Sequence, residues 1–318
     1  MRYLKIQYQK NSKSKNVMET NEKAQLTKLI SNNAISKIER LRINSICRFT
    51  NRMRGEHTSG RGGTSIEFSD YRNYSPGDDL RFIDWNIYAR LNKPYMKLFK
   101  LEEEMHLVII IDASNSMLFE GKLELAKSIA ASYGLMGLYG NERVSLYVLN
   151  DDQGGKPAKL SPMAGRGNMR KLFHFLEKTS GGGTKTIDEG IDNILKFHKG
   201  KGVALLLSDF MTFGNLRRTM NSLFNTGLEI CALQILAPSE LSPELYSDSR
   251  FIDSETSNKL DITSGSDILE IYHEHKNRFI RELEELVRNR SGRFLSISSE
   301  SKLNYIIFEQ LLKEGCIK

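Results

Sequence analysis

HLVIIIDASNSMLFE, His106 to Glu120, contains an apolar run, Leu107 to Ile111, that stops at Asp112 and is followed by hydroxyls at Ser114 and Ser116. A continuous apolar run bounded by polar residues reads as a strand buried on both faces, as in the middle of a parallel sheet. Asp112 then stands at the carboxyl end of that strand, which is where open α/β sheets bind ligands. A carboxylate beside two hydroxyls is a candidate site for a hard cation.

The sequence C-terminal to this stretch alternates helix and strand. Lys122 to Gly140 keeps a helical apolar face (Leu123, Ala126, Ile129, Ala130, Tyr133) and closes at Gly140-Asn141. Val144 to Leu149 reads as a strand, Asn168 to Lys178 and Ile187 to His198 as helices, and Val203 to Leu207 as a second wholly apolar strand stopped by Ser208-Asp209. Leu216 to Phe224 predicts a helix and Glu229 to Leu236 a strand. This alternation is that of a doubly wound, Rossmann-type parallel sheet with crossover helices on both faces. Beyond Pro238 the expected elements are a hairpin over Arg250 to Ile262 turning at Thr256 to Asn258, a long helix Asp267 to Asn289, a strand Arg293 to Ser298 and a closing helix Lys302 to Lys313.

N-terminal to the stretch, the pattern is of another kind. Residues 1–30 are polar, lysine-rich and aperiodic, and are expected to form a disordered basic tail. Ile35, Ile38, Leu41, Ile43, Ile46 and Phe49 predict an amphipathic helix from Ala34 to about Arg52. Glycines at 55, 60, 62 and 63 and the pair Pro76-Gly77 then punctuate a region with strands at Thr64 to Phe68 and Tyr95 to Phe99. Residues 31–104 thus form a β-rich and helical appendage to an α/β domain over 105–318. Arg81, Asp84, Trp85 (the only tryptophan) and Arg90 fall within ten positions, enough for a buried ion-pair network beside an aromatic ring.

Charge and cysteine content narrow the function classes. The net charge is +7, yet Met1 to Glu56 alone holds thirteen Lys or Arg against four Asp or Glu, a local balance of +9. The rest of the chain is therefore slightly acidic, and a nucleic-acid contact, if there is one, belongs to the basic segment. No apolar run approaches the length of a bilayer span, and the N-terminus lacks the apolar core of a secretory signal. Cys47, Cys231 and Cys316 are odd in number and far apart in sequence, without zinc-knuckle spacing, which points to a reducing cytoplasm.

Two strands end alike, LVIIID at Asp112 and ALLLSD at Asp209, and the glycine run Gly181 to Gly183 delivers a hydroxyl at Thr184. The carboxyl ends of parallel strands lie along one edge, so Asp112, Ser114, Ser116, Thr184 and Asp209 can converge there. Five oxygen-bearing side chains suit Mg²⁺ or Mn²⁺, which wants about six oxygens. These residues resemble the metal-ion-dependent adhesion site (MIDAS) of von Willebrand factor A-type domains. That resemblance implies that the hydroxyls bind the ion, that the aspartates act directly or through water, and that an acidic side chain of a partner fills an open position. The segment GGTSIEFSDYRNYSPGDDLRFIDWNIYAR, Gly62 to Arg90, resembles the signature of the DUF58 family, which places such a region ahead of an A-type domain. Membership implies an adaptor role with a MoxR-type AAA+ ATPase.

Rival chemistries have weaker signals. SGGGTKT lacks the glycine that a Walker motif needs before Lys185, His273 and His275 face different directions on a helix, and no Ser-His-Asp or Cys-His set stands at recognisable spacing. The expected function is a cytoplasmic, non-catalytic, metal-dependent interaction protein. The alternatives are nucleic-acid binding through the basic segment and a Mg²⁺-dependent phosphohydrolase, for which no general base is apparent.

Overall fold

The computed structural model describes residues 25–45, 50–52, 66–102, 105–150, 158–212, 214–243, 249–252, 259–262 and 266–318. The chain divides into two compact units, one made of 1–46 with 106–318, the other of 47–105. The expected basic tail lies outside the described residues as far as 24. From Thr27 and Ile30, both buried, the chain is already docked, with Thr27 Oγ1 donating to Glu177 at 2.6 Å.

Helix α1 runs only from Asn32–Ile38, with Ser31 Oγ accepting from Ala34 N at its N-cap. The helix expected to about Arg52 stops here because the following backbone finds a different partner. Arg42 and Lys318 exchange both N–H···O bonds at 2.8 Å, and Ile43 pairs with Ile317. Ile38 and Ile43 are still buried, so the apolar residues that suggested one helix serve a short helix and then an extended segment. Tertiary pairing outweighs helical periodicity at that point.

The smaller unit is an antiparallel sheet, β1 (Thr50–Arg52), β2 (Ile66–Asn73) and β3 (Tyr95–Glu102) in the order β1-β3-β2, with helix α2 (Trp85–Leu91) between β2 and β3. Of the residues expected to form a buried charge network here, only Asp84 is buried. It caps α2, its Oδ1 accepting from Asn86 N and Ile87 N, while its Oδ2 accepts from Tyr71 OH and pairs with Lys97 at 3.2 Å. Arg81 instead chelates Asp79 at the surface, and Trp85 is 60% exposed, its ring edge-on to Tyr88 at 6.0 Å. Helix α2 buries none of its own residues.

The larger unit carries β4 (His106–Asp112), α3 (Lys122–Tyr139), β5 (Arg143–Leu149), β6 (Ala158–Met163), α4 (Met169–Lys178), α5 (Ile187–Leu195), β7 (Gly202–Ser208), α6 (Leu216–Asn225) and β8 (Leu228–Leu236). It continues through α7 (Pro238–Leu241), the hairpin strands β9 (Ser249–Ile252) and β10 (Lys259–Ile262), α8 (Ser266–Arg288) and β11 (Arg293–Ser298). A last helical stretch from Leu303 to Lys313 widens to a π-turn at Ile306–Gln310. The turn expected within the hairpin lies outside the described residues.

The six-stranded sheet has the order β11-β8-β7-β4-β5-β6, parallel except for β6, which runs antiparallel to β5. This is the doubly wound α/β arrangement expected. The strand β6 has no counterpart in the sequence reading: it is a partly exposed edge with Pro162 inside it, which only an edge strand tolerates. Strands β4 and β7 are buried along almost their whole lengths, which is why they read as uninterrupted apolar runs. The winding direction reverses between them, so the carboxyl ends of β4 and β7 flank the topological switch point of the sheet.

Candidate metal centre at the sheet switch point

Asp112 ends β4 and is 5% exposed. Its Oδ1 accepts from Ser114 N at 2.9 Å and from Asn150 Nδ2 at 3.4 Å, and its Oδ2 accepts from Ser208 Oγ at 2.8 Å. Three different strand ends therefore hold one carboxylate. Burial, and then the neighbouring Asp209 carboxylate, push Asp112 above the usual carboxylate range, although the bonds from Ser208 and Ser114 work the other way.

The chain turns after Asp112 so that Ser114 Oγ and Ser116 Oγ lie 3.1 Å apart. Adjacent ligands of an octahedral Mg²⁺, each at about 2.1 Å, lie about 3.0 Å from one another. The glycine run sits flush against this turn. Gly182 N donates to Ala113 O at 2.9 Å, Asn115 N to Gly183 O at 3.2 Å, and Gly183 N to Asn150 O at 3.2 Å. A Cβ on Gly183 would meet Asn150 side-chain and Cα atoms at 2.7–2.9 Å, and one on Gly181 would meet Ala113 O at 2.8 Å. Close backbone approach is the physical reason for glycine at both positions. Thr184 follows Gly183 directly and is exposed.

Asp209, one residue past β7, is 1% exposed and is engaged differently. Its Oδ1 accepts from Met211 N at 3.0 Å, and its Oδ2 accepts from Lys122 Nζ at 2.8 Å. Lys122 Nζ also donates to Glu240 Oε1 at 2.7 Å, and Glu240 Oε2 accepts from Ala237 N at 2.7 Å. Lys122 has no exposed surface. Burial alone would lower its pKa, but Asp209 and Glu240 outweigh that and keep it an ammonium.

The structure thus brings Asp112, Ser114 and Ser116 together with the glycine loop that carries Thr184, and places Asp209 nearby on a cation of its own. The sequence reading missed four contributors: Asn150, Ser208, Lys122 and Glu240. Asn150 is a hub, in the left-handed region at φ 64°, binding Asp112 and exchanging two bonds with the Lys185 backbone. An asparagine closing a strand at Leu149-Asn150 was the available signal. Lys122 looked like an ordinary helix start, and Glu240 falls just past Pro238, where the strand–helix alternation breaks and no element was expected before Arg250.

The donor set can be weighed against a divalent cation. Every candidate donor is an oxygen, as Mg²⁺ and Mn²⁺ prefer. Asp209 and Glu240 share the buried Lys122, and Asp112 lies close enough to Asp209 to feel its charge, so the buried carboxylates outnumber that ammonium by two where water screens little. One divalent ion neutralises that excess, and the residues fit the group. Among the described residues no group of three or more His, Cys, Asp or Glu is placed to hold a metal ion by itself.

A family model described as "Protein of unknown function DUF58" matches residues 70–280, about two thirds of the sequence. The chain belongs to the DUF58 family. It is 24% identical over 211 residues to the uncharacterized proteins Rv1480 of Mycobacterium tuberculosis and Mb1516 of Mycobacterium bovis, covering 64% of this chain and 65% of each relative. This DUF58 protein thus spans just under two thirds of the length of those relatives. Structural neighbours include BatB from Bacteroides thetaiotaomicron (15% identity, TM-score 0.39, 66% of this chain and 98% of that one). A von Willebrand factor type A protein from Catenulispora acidiphila is another (18% identity, TM-score 0.33, 44% and 35%). No described helix of this family member is long and apolar enough to cross a membrane.

Proposed function

We propose that the chain is a non-catalytic interaction module whose switch-point cluster holds Mg²⁺ or Mn²⁺ and captures an Asp or Glu of a protein partner. The observation that carries this reading is the cluster of buried carboxylates, two more than the Lys122 ammonium can pair, beside two hydroxyls at ligand-pair spacing, located where doubly wound sheets bind ligands. When bound, the ion supplies an electrophilic position for a carboxylate. Asp112 is the anchoring carboxylate, held in one orientation by Ser208, Asn150 and the Ser114 amide. Ser114, Ser116 and Thr184 are the hydroxyl donors, and Asp209 acts through water. The partner end of the reading is an adaptor role for a MoxR-type AAA+ ATPase, which rests on the family resemblance. The basic segment that prompted a nucleic-acid alternative lies largely outside the described residues.

The test has two parts. Titration of Mn²⁺ followed by electron paramagnetic resonance should show one bound ion in the wild type and none in Asp112→Ala or Ser114→Ala, with circular dichroism unchanged. Capture of a purified MoxR-type ATPase should need Mg²⁺ and fail in EDTA. Equal Mn²⁺ binding by Asp112→Ala would sink the metal site, and equal capture in EDTA would sink its role in recognition.

A further inference from the structure

Lys122 occupies a costly place. It is the first residue of α3, where the helix dipole disfavours a cation, and it has no contact with water. Buried ion pairs of this kind are often no more stabilising than apolar side chains of the same volume, so stability alone does not call for a lysine here. The chain also makes a special turn to bring it in: Glu120 and Gly121 both adopt left-handed backbone, at φ 43° and 73°, immediately before α3 begins. Ser299 Oγ, donating to Glu120 O at 2.7 Å, pins that turn.

The effect of this placement falls on Asp209. Both of its carboxylate oxygens are already used, Oδ2 by the Lys122 ammonium at 2.8 Å and Oδ1 by the Met211 amide at 3.0 Å. Its backbone carbonyl accepts from the buried Gln234 Nε2 at 3.2 Å, so the residue cannot easily swing toward the Ser114–Ser116 pair. Asp112, by contrast, is held by neutral donors only. Glu240 keeps Lys122 in position from the far side, and Tyr272 OH donates to the Glu240 carbonyl at 2.6 Å.

We propose, building on the metal-dependent reading above, that Lys122 is a positioning residue that holds Asp209 out of direct contact with the cation. Asp112 is then the only protein carboxylate touching the ion, which keeps a coordination position and one unit of uncompensated charge in its direct shell. A carboxylate from outside completes that shell. Cation and partner carboxylate therefore bind cooperatively, and Lys122 sets the size of that coupling.

The test uses the full chain, Mn²⁺ as the cation and acetate as the carboxylate probe. Wild type should bind Mn²⁺ at least fivefold more tightly in saturating acetate than in chloride of the same ionic strength. The double variant Lys122→Met/Glu240→Gln removes one charge of each sign and frees Asp209. It should bind Mn²⁺ at least tenfold more tightly without acetate, and acetate should then change its affinity less than twofold. A folded double variant with wild-type Mn²⁺ affinity and acetate dependence overturns the proposal. Asp209→Asn, which leaves Lys122 paired with Glu240, gives a second measure: its loss of Mn²⁺ affinity should be less than a tenth of that of Asp112→Asn, and an equal loss overturns the proposal too. Absence of Mn²⁺ binding in both wild type and double variant would overturn the underlying metal reading, an outcome distinct from equal binding by both.

Discussion

At the scale of single residues, buried partners separate two carboxylates that look alike in the sequence and are both buried. Asp112 and Asp209 end similar apolar strands, but only Asp209 has a buried ammonium beside it. Removing Lys122 alone leaves Asp209 and Glu240 buried without a counter-charge, so Lys122→Ala should cost roughly 3–5 kcal/mol in urea unfolding. In the signature unit the weights are reversed. Trp85 is largely exposed, so Trp85→Ala should change stability by no more than about 0.5 kcal/mol in the same measurement. Asp84 is the residue that matters there. Burial raises its pKa, but the Ile87 amide, Lys97, the Tyr71 hydroxyl and the Asn86 amide together bring it below the usual range. A depressed folded pKa means that its contribution is present above the unfolded value and is lost as pH falls through the folded one. Asparagine can still cap α2 without the charge, so the gap in melting temperature between wild type and Asp84→Asn should be open at pH 7 and narrow as the pH is lowered to 3.

At the scale of elements, the site depends on loops that are shaped by what they touch. The glycine run has no room for a side chain at Gly183, because Asn150 lies against it. Gly183→Ala must displace either the run or Asn150, which also holds Asp112. A cost of about 1–3 kcal/mol is expected in denaturant unfolding, together with loss of Mn²⁺ binding in the same sample. The central strands tell the opposite story, since β4 and β7 are specified by burial on both faces and their reading needed no partner. The shortened α1 went unread because it depends on residues 316–318, distant in sequence, and the edge strand β6 because a short, half-exposed stretch with Pro162 in it carries little apolar strand signal.

At the scale of the whole molecule, the two ends of the described chain are joined. Arg42 and Lys318 bond reciprocally, Asn44 N donates to Cys316 O, and Ile43 and Ile317 are both buried. Deleting residues 316–318 should therefore destabilise the larger unit by about 2–4 kcal/mol, seen as a lower midpoint in urea with helical content retained. The same closure brings the buried Cys316 near the buried Cys231, whose Sγ lies 3.7 Å from Tyr133 OH. Three cysteines spaced widely along a chain carry no hint of that proximity.

The sequence by itself determined the sheet class and the strands β4 and β7, because burial on both faces leaves a local mark, and strand-end polarity picked out Asp112, Ser114, Ser116, Thr184 and Asp209 as candidates. It also determined the family, through the motif Gly62 to Arg90. Only the tertiary structure decided that Asp209 is held by Lys122 and Glu240 while Asp112 is held by Ser208 and Asn150. Those partners lie between 38 and 118 residues apart in the chain. The charge that a buried carboxylate keeps is set by the groups the fold packs against it, and no local pattern records them.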